Sequence, residues 1–241
     1  MPLFDFSPLL RYAEEKSIAL PAHVSEQLNT YAALLLEWNE KINLTAITEP
    51  KEVIEKHFID SLSLLHYYEP KQGESLLDVG TGAGFPGMVL KILRPDLSVT
   101  LLDGHAKRFL FLEDLQNRLG LTVTNLHARA ELAAKETCYR EQFDLVTARA
   151  VARLPILAEY CLPFVKPDGV FFAMKGPDGA EELTEAATAI SLLGGGAPSL
   201  FTERLPGNHT LDFNRISKQS KTPGKYPRAS GQIKKKPLSF L

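Results

Sequence analysis

Residues 75–87 read SLLDVGTGAGFPG, with Gly80, Gly82, Gly84 and Gly87 crowded into eight positions directly after an apolar run. Glycine builds no core and costs backbone entropy, so this density implies a main chain shaped to let a ligand come close. Gly80, Gly82 and Gly84 would let the loop turn tightly and admit that ligand against bare backbone. Pro86 suits the first helical position, where its missing N–H would have had no partner. A second apolar run, SVTLLD, ends at Asp103, 23 residues after Gly80. A carboxylate there can take both hydroxyls of a ribose, so the expected ligand carries a nucleoside.

Two cofactor classes share this pattern. Residues 82–87, GAGFPG, satisfy G-x-G-x-x-G and so admit a nicotinamide dinucleotide. Asp78, two residues before the first glycine, shifts the balance: D-x-G-x-G-x-G resembles the first motif of the Rossmann-like methyltransferases that use S-adenosyl-L-methionine. The chain also lacks a second mononucleotide-binding half and a hydride-transfer constellation. The methyl acceptor is constrained by what is missing around it. Methylating a ring carbon calls for a cysteine nucleophile, usually after proline, but Cys138 lies in ETCYR and Cys161 in EYCLP. Both cysteines are expected to be core thiols. Exocyclic amines are usually handled by an Asn/Asp-Pro-Pro-aromatic motif after the fourth strand, where this chain has TARAVARLP, with Arg149 at its start. An acceptor with a free lone pair, such as guanine N7, needs only alignment and desolvation. The six histidines form no metal-ligand spacing, and no metal is expected.

The elements that must position these residues alternate regularly from residue 75. SLLDV, SVTLLD, LTVTNLHA, FDLVTA and GVFFAM read as strands, with helices starting near Pro86, His105, Glu131, Leu154 and Asp178. PSLFTERL and HTLDFNRISK flank LPGN and form an antiparallel hairpin. The fold class is therefore α/β: a Rossmann-like, mostly parallel seven-stranded sheet with an antiparallel C-terminal hairpin. Before it, Val24, Leu28, Tyr31, Leu35 and Trp38 recur at helical steps, and a second helix covers VIEKHFIDSLSLLHYY. Residues 1–70 are thus a helical extension and 71–241 the main domain. Trp38 reads as a packing residue. Lys107 and Arg108 open a helix, where contact with phosphate and plain solvation are equally open. Lys175, ending the fifth strand, is a candidate RNA contact.

The net charge of −2 conceals a polarised chain. Residues 213–241 hold eight basic side chains and no acidic one, which leaves 19 basic against 29 acidic residues, or −10, for residues 1–212. A cationic segment of this kind suits a phosphate backbone. No apolar run approaches the roughly 20 residues of a membrane span, and the N-terminus does not read as a signal peptide, so a cytoplasmic protein with no membrane partner is expected.

Six segments together carry a more specific likeness: WNEKINLTAI (38–47), HFIDSL (57–62), LLDVGTGAGFPG (76–87), LLDGHAKRFLFL (101–112), FDLVTARAVA (143–152) and YPRASGQIKKKPL (226–238). With them the chain resembles the bacterial glucose-inhibited division protein B family, which methylates guanine N7 in small-subunit ribosomal RNA. The resemblance implies S-adenosyl-L-methionine as cofactor, small-subunit ribosomal RNA or the 30S subunit as partner, and a monomer. It implies that Gly80 and Phe85 line the cofactor, that Ala130 and Glu131 in HARAEL border its adenine, and that Arg149 reaches the site from the fourth strand. There Arg149 would be the catalytic residue, holding the donor or aligning the guanine. HARAEL and LLDGHAKR depart mildly from the family's usual forms. A noncatalytic assembly factor on the same fold is the competing class.

Overall fold

The computed structural model describes residues 4–238. An N-terminal run of helices, α1 (Ser7–Glu15), α2 (Val24–Asn39), α3 (Pro50–Val53) and α4 (Asp60–Tyr67), precedes the alternating region. There β1 (Ser75–Val79), α5 (Gly87–Leu93), β2 (Ser98–Asp103), α6 (Ala106–Leu119), β3 (Thr124–His127), α7 (Ala130–Ala133), β4 (Phe143–Arg149), α8 (Leu154–Cys161), β5 (Val165–Lys175) and α9 (Gly179–Leu192) follow in turn. The hairpin β6 (Ser199–Leu205) and β7 (His209–Ser217) comes next, and then α10 (Ser230–Lys235). The seven strands lie in the order β3-β2-β1-β4-β5-β7-β6, with β1 to β5 paired in parallel and β7 antiparallel to both its neighbours. The order in which strands are added therefore reverses between β1 and β4, the place where an open sheet leaves a crevice at its carboxyl edge.

Strand alternation divides the core. Leu76, Val99 and Leu101 face one side, where they meet α1, α2, α5 and α6. Leu77, Val79 and Leu102 face the other, against α7, α8 and α9. The N-terminal helices share the first of these cores with the sheet: Leu9, Tyr31 and Phe58 are buried in the same cluster as Leu101 and Phe213. Trp38 is half-buried against Phe111, its indole N–H donating to Asp114 at 2.9 Å.

Four expectations need adjustment. The single helix read over 53–68 is interrupted by one wide π-helical stretch, Ile54–Ile59, whose main chain takes side-chain bonds: Ser61, in α4, donates to the His57 carbonyl at 2.6 Å. Cys161 is buried but Cys138 is exposed, because it falls in the irregular turn after α7 rather than on a helix face. Lys175 does not face outward. Its ammonium is 2.8 Å from Glu182 and donates to the Ala152 carbonyl at 2.8 Å, which ties β5 to α9 and the loop after β4. The basic C-terminal stretch is also folded rather than free. Its residues 213–217 belong to β7, and Tyr226, Ile233 and Leu238 pack into the second core. The buried Lys218 donates to the Leu162 carbonyl at 2.7 Å, and burial lowers its pKa to about 8. Arg228 grips the fully buried Glu159 through two nitrogens. Lys221, Lys225, Lys234, Lys235 and Lys236 are left exposed.

Candidate active site

The glycine loop between β1 and α5 is braced by two carboxylates. Asp78 is fully buried, and its Oδ2 accepts from the Thr81 hydroxyl at 2.6 Å and the Gly87 N–H at 2.9 Å. Burial pushes the Asp78 pKa up to about 6 against the pull of those bonds and of the Arg149 charge, and its Oδ1 has no partner. Asp103, at the end of β2, accepts from Gly82 N–H at 3.0 Å, His105 N–H at 2.9 Å and Arg108 Nη1 at 2.6 Å. Gly80 and Thr81 both donate to the Leu102 carbonyl, at 2.8 and 3.1 Å. Every turn of the loop is thus fixed by neighbouring strands.

The loop glycines have different duties. Gly84, at φ +94°, faces inward, where a Cβ would lie 2.6 Å from the Tyr31 hydroxyl. Gly82, at φ +59°, faces open space, its nearest neighbour being the Gly80 carbonyl at 4.0 Å. Behind the loop the Tyr31 hydroxyl donates to the Ala83 carbonyl, and the Tyr31 and Phe85 rings lie nearly parallel with centroids 5.0 Å apart.

Two adjoining cavities open over this edge of the sheet. The larger, about 370 Å³, is lined by Gly80, Asp103, Ala130 and Glu131 among others, with Tyr160 and Lys234 on the far wall. Glu131 is buried and accepts from Arg129 Nε at 2.6 Å. Arg129 Nη2 in turn donates to the Ser230 hydroxyl at 2.8 Å, and Tyr160 bonds the same hydroxyl at 3.0 Å, so the C-terminal helix closes this wall. The smaller cavity, about 260 Å³, is lined by Leu44, Thr45, His57, Gly82, Phe85 and Arg149. The two share Gly80, Arg108 and Ala150. Ala150 holds φ +55°, a conformation that a residue with a Cβ adopts only when its surroundings impose it.

Arg149 is anchored by the helical extension. Its Nη1 donates to the Lys56 carbonyl at 2.6 Å, in the π-helical stretch, and lies 3.5 Å from Asp60; its Nη2 sits 3.0 Å from His57 Nδ1. The guanidinium also lies 5.2 Å from the centre of the Phe85 ring. Burial and the Arg149 charge drive the His57 pKa down to about 3, so the imidazole is neutral. Asp60 is bonded on its other oxygen by His209, 2.7 Å away, which raises the His209 pKa.

The sequence-predicted residues therefore separate. Asp103, Ala130 and Glu131 line the larger cavity; Gly82, Phe85 and Arg149 line the smaller; Gly80 borders both; and Gly84 faces the core. Sequence reasoning missed Thr45, His57 and Asp60, although NLTAI and HFIDSL are conspicuous segments. It also missed Tyr160, which carries no motif, and gave no role to Ser230 and Lys234 although both lie in the quoted segment YPRASGQIKKKPL. The larger cavity fits a nucleoside: two buried carboxylates, Asp103 and Glu131, stand where ribose hydroxyls and an exocyclic amine need acceptors. Its volume sits at the small end of ligand cavities.

The GidB family, described as rRNA small subunit methyltransferase G, matches residues 24–204. The ribosomal RNA small subunit methyltransferase G of Lachnoclostridium phytofermentans is 47% identical over 239 residues, covering 97% of this chain and 98% of that protein. The protein of the same name from Geobacillus kaustophilus is 48% identical over 229 residues, with 93% and 95% covered. Among solved structures, a SAM-dependent O-methyltransferase from Thermotoga maritima superposes with a TM-score of 0.51 at 16% identity, over 78% of this chain and 72% of that one. M. jannaschii TYW2 in complex with AdoMet gives 0.50 at 13%, over 67% and 77%. At these identities the two structures speak for the fold alone.

Proposed function

Because the chain belongs to the rRNA small subunit methyltransferase G family, we infer that it transfers a methyl group from S-adenosyl-L-methionine to N7 of a guanine in small-subunit ribosomal RNA. The observation that carries this reading is the pair of cavities meeting at Gly80 and Ala150, one fitted for a nucleoside and the other walled by Phe85 and Arg149.

When bound, the cofactor supplies a methyl carbon carried on a positively charged sulfur. The chain's own groups do the rest. Asp103 and Glu131 hold the ribose and border the adenine in the larger cavity, with the Gly80 main chain against the ligand. Arg149 and Phe85 shape the smaller cavity, into which the guanine enters with N7 toward the shared border. There N7 would meet the methyl group that the bound donor supplies, with its lone pair free to accept it. No proton leaves, so no general base is needed, and His57, neutral and bonded through both ring nitrogens, is not placed to act as one. Orientation and exclusion of water carry the rate.

Lys234, on the wall of the larger cavity, and the exposed Lys235 and Lys236 that follow it supply charge for the RNA backbone. A monomer acting in the cytoplasm on the 30S subunit completes the proposal; among the described residues no helix is long and apolar enough to cross a membrane. A noncatalytic RNA platform is disfavoured, since it has no use for a loop braced by Asp78 and Asp103. The test is chemical: N7 methylation puts a fixed positive charge on the purine and makes the RNA cleavable there by borohydride and aniline. Small-subunit RNA from cells lacking this protein, incubated with it and S-adenosyl-L-methionine, should gain one such site. Label incorporated without a cleavage site would refute N7.

A further inference from the structure

Thr45 stands at the mouth of the smaller cavity with both of its lone pairs spoken for. The Ile47 N–H donates to its Oγ1 at 3.0 Å, and His57 Nε2 lies 2.8 Å from the same oxygen. The direction of that second bond is fixed from the opposite side of the ring. Arg149 has only hydrogens to offer, and its Nη2 faces His57 Nδ1 at 3.0 Å. A hydrogen on Nδ1 would set two donors against each other. The nearby Lys56 carbonyl, 3.1 Å from Nδ1, already accepts Arg149 Nη1 at 2.6 Å. Nδ1 therefore carries the lone pair and Nε2 the hydrogen, which it donates to Thr45. The imidazole's neutrality agrees with this arrangement.

A hydroxyl that accepts two bonds has one thing left to give, its own hydrogen. The Thr45 side chain is half-buried, and its loop is set by the Asn39 carboxamide oxygen, which accepts the N–H groups of Leu44 and Thr45 at 2.8 and 2.9 Å. Rotating the hydroxyl away is not open to it without losing a bond. The chain thus presents one pre-aimed neutral donor to the cavity that also holds Phe85 and Arg149.

We propose that Thr45 is a specificity-determining residue whose hydroxyl donates to O6 of the guanine being methylated. This rests on the function proposed above. On the purine edge that carries N7, guanine offers two acceptors, N7 and O6. N7 must keep its lone pair to attack, so a donor in the cavity serves the reaction only on O6. Adenine carries an amino group at that position and would set donor against donor, which rejects it.

The test uses base analogues at the mapped methylation site, placed in small-subunit RNA by splinted ligation. Inosine keeps O6 and N7; 2-aminopurine keeps N7 but lacks O6. Wild-type enzyme should methylate the guanine and inosine RNAs within a few-fold of each other and the 2-aminopurine RNA on the order of 10- to 100-fold more slowly. In Thr45→Val, and in Thr45→Ala, that preference for guanine over 2-aminopurine should collapse to within a few-fold, while Thr45→Ser keeps it. Melting and S-adenosyl-L-methionine titration confirm that each variant is folded. A Thr45→Val enzyme that slows on both RNAs alike, or wild-type enzyme that uses 2-aminopurine as well as guanine, overturns the proposal. A wild-type enzyme that methylates none of the three RNAs overturns the function itself, and the two failures are thereby distinct.

Discussion

The Arg149 guanidinium donates to the main-chain carbonyl of Lys56 at 2.6 Å, joining the tip of β4 to a helical stretch 93 residues earlier. The side chain that walls the smaller cavity is therefore positioned by the N-terminal helices and not by the sheet that carries it.

Arg149→Ala should lower methyl transfer on the order of 100-fold, as expected when a reacting group is misplaced by about 1 Å. Cofactor affinity should change only a few-fold, because Arg149 lines the smaller cavity. Arg149→Lys should fare little better, since an ammonium cannot reach Lys56, His57 and Asp60 from one planar fork. Single-turnover rates beside calorimetric titration settle the matter: a loss of activity wholly explained by weaker cofactor binding would move Arg149 to the other cavity.

Gly84 and Gly82 should respond differently to substitution. Gly84→Ala places a carbon against the Tyr31 hydroxyl at a left-handed backbone angle and should destabilise the fold by roughly 2–4 kcal/mol. Gly82→Val shares the left-handed strain but meets open space, so the protein should still fold with a smaller loss of stability than Gly84→Ala causes, while the branched side chain obstructs ligand entry. Chemical denaturation and cofactor titration on the two variants should give opposite patterns; the same pattern in both would refute this division.

Asp78 should make stability fall as pH rises. Its pKa of about 6 lies above the ordinary 3.8, so the folded chain holds this proton more tightly than the unfolded one. Between about pH 4 and 6 the group's contribution declines, by roughly 2–3 kcal/mol in all. Asp78→Asn keeps an acceptor for Thr81 and Gly87 and removes the titration, so its unfolding free energy should lack this decline. Identical pH profiles for the two proteins would remove Asp78 from the account.

Lys225, Lys235 and Lys236, replaced together by glutamine, should weaken RNA binding and make the slope of log K against log salt shallower by about 0.7 for each phosphate they had neutralised. Stability should be unchanged because all three are exposed. Deleting the segment would instead strip Tyr226, Ile233 and Leu238 from the core and leave the buried Glu159 without Arg228. An unaltered salt slope in the triple variant would place the RNA elsewhere on the surface.

The sheet is legible in the sequence because its signals are local. Alternation in SLLDV and SVTLLD and the LPGN turn each dictate structure within a few residues, and the observed strands Ser75–Val79, Ser98–Asp103 and the hairpin follow them closely. The apportioning of side chains between two cavities is not legible. Gly82 and Gly84 are two residues apart yet face opposite ways, which depends on loop dihedrals and on Tyr31 from a distant helix. The charge run at 234–236 masks Ile233, whose burial against α8 gives the C-terminal stretch its place. The inward turn of Lys175 is hidden for a similar reason, since Glu182, its partner, lies across a turn on the next helix.

The bracing of the glycine loop has a thermodynamic consequence. With Tyr31 bonded to Ala83, the Phe85 ring laid against it, and Asp78 and Asp103 holding the N–H groups of Gly87 and Gly82, little backbone remains to be ordered when a ligand arrives. Association then avoids the entropy loss of a segment that folds around its guest. Its heat-capacity change should be modest, reflecting the apolar area of the guest and its walls rather than a coupled folding transition.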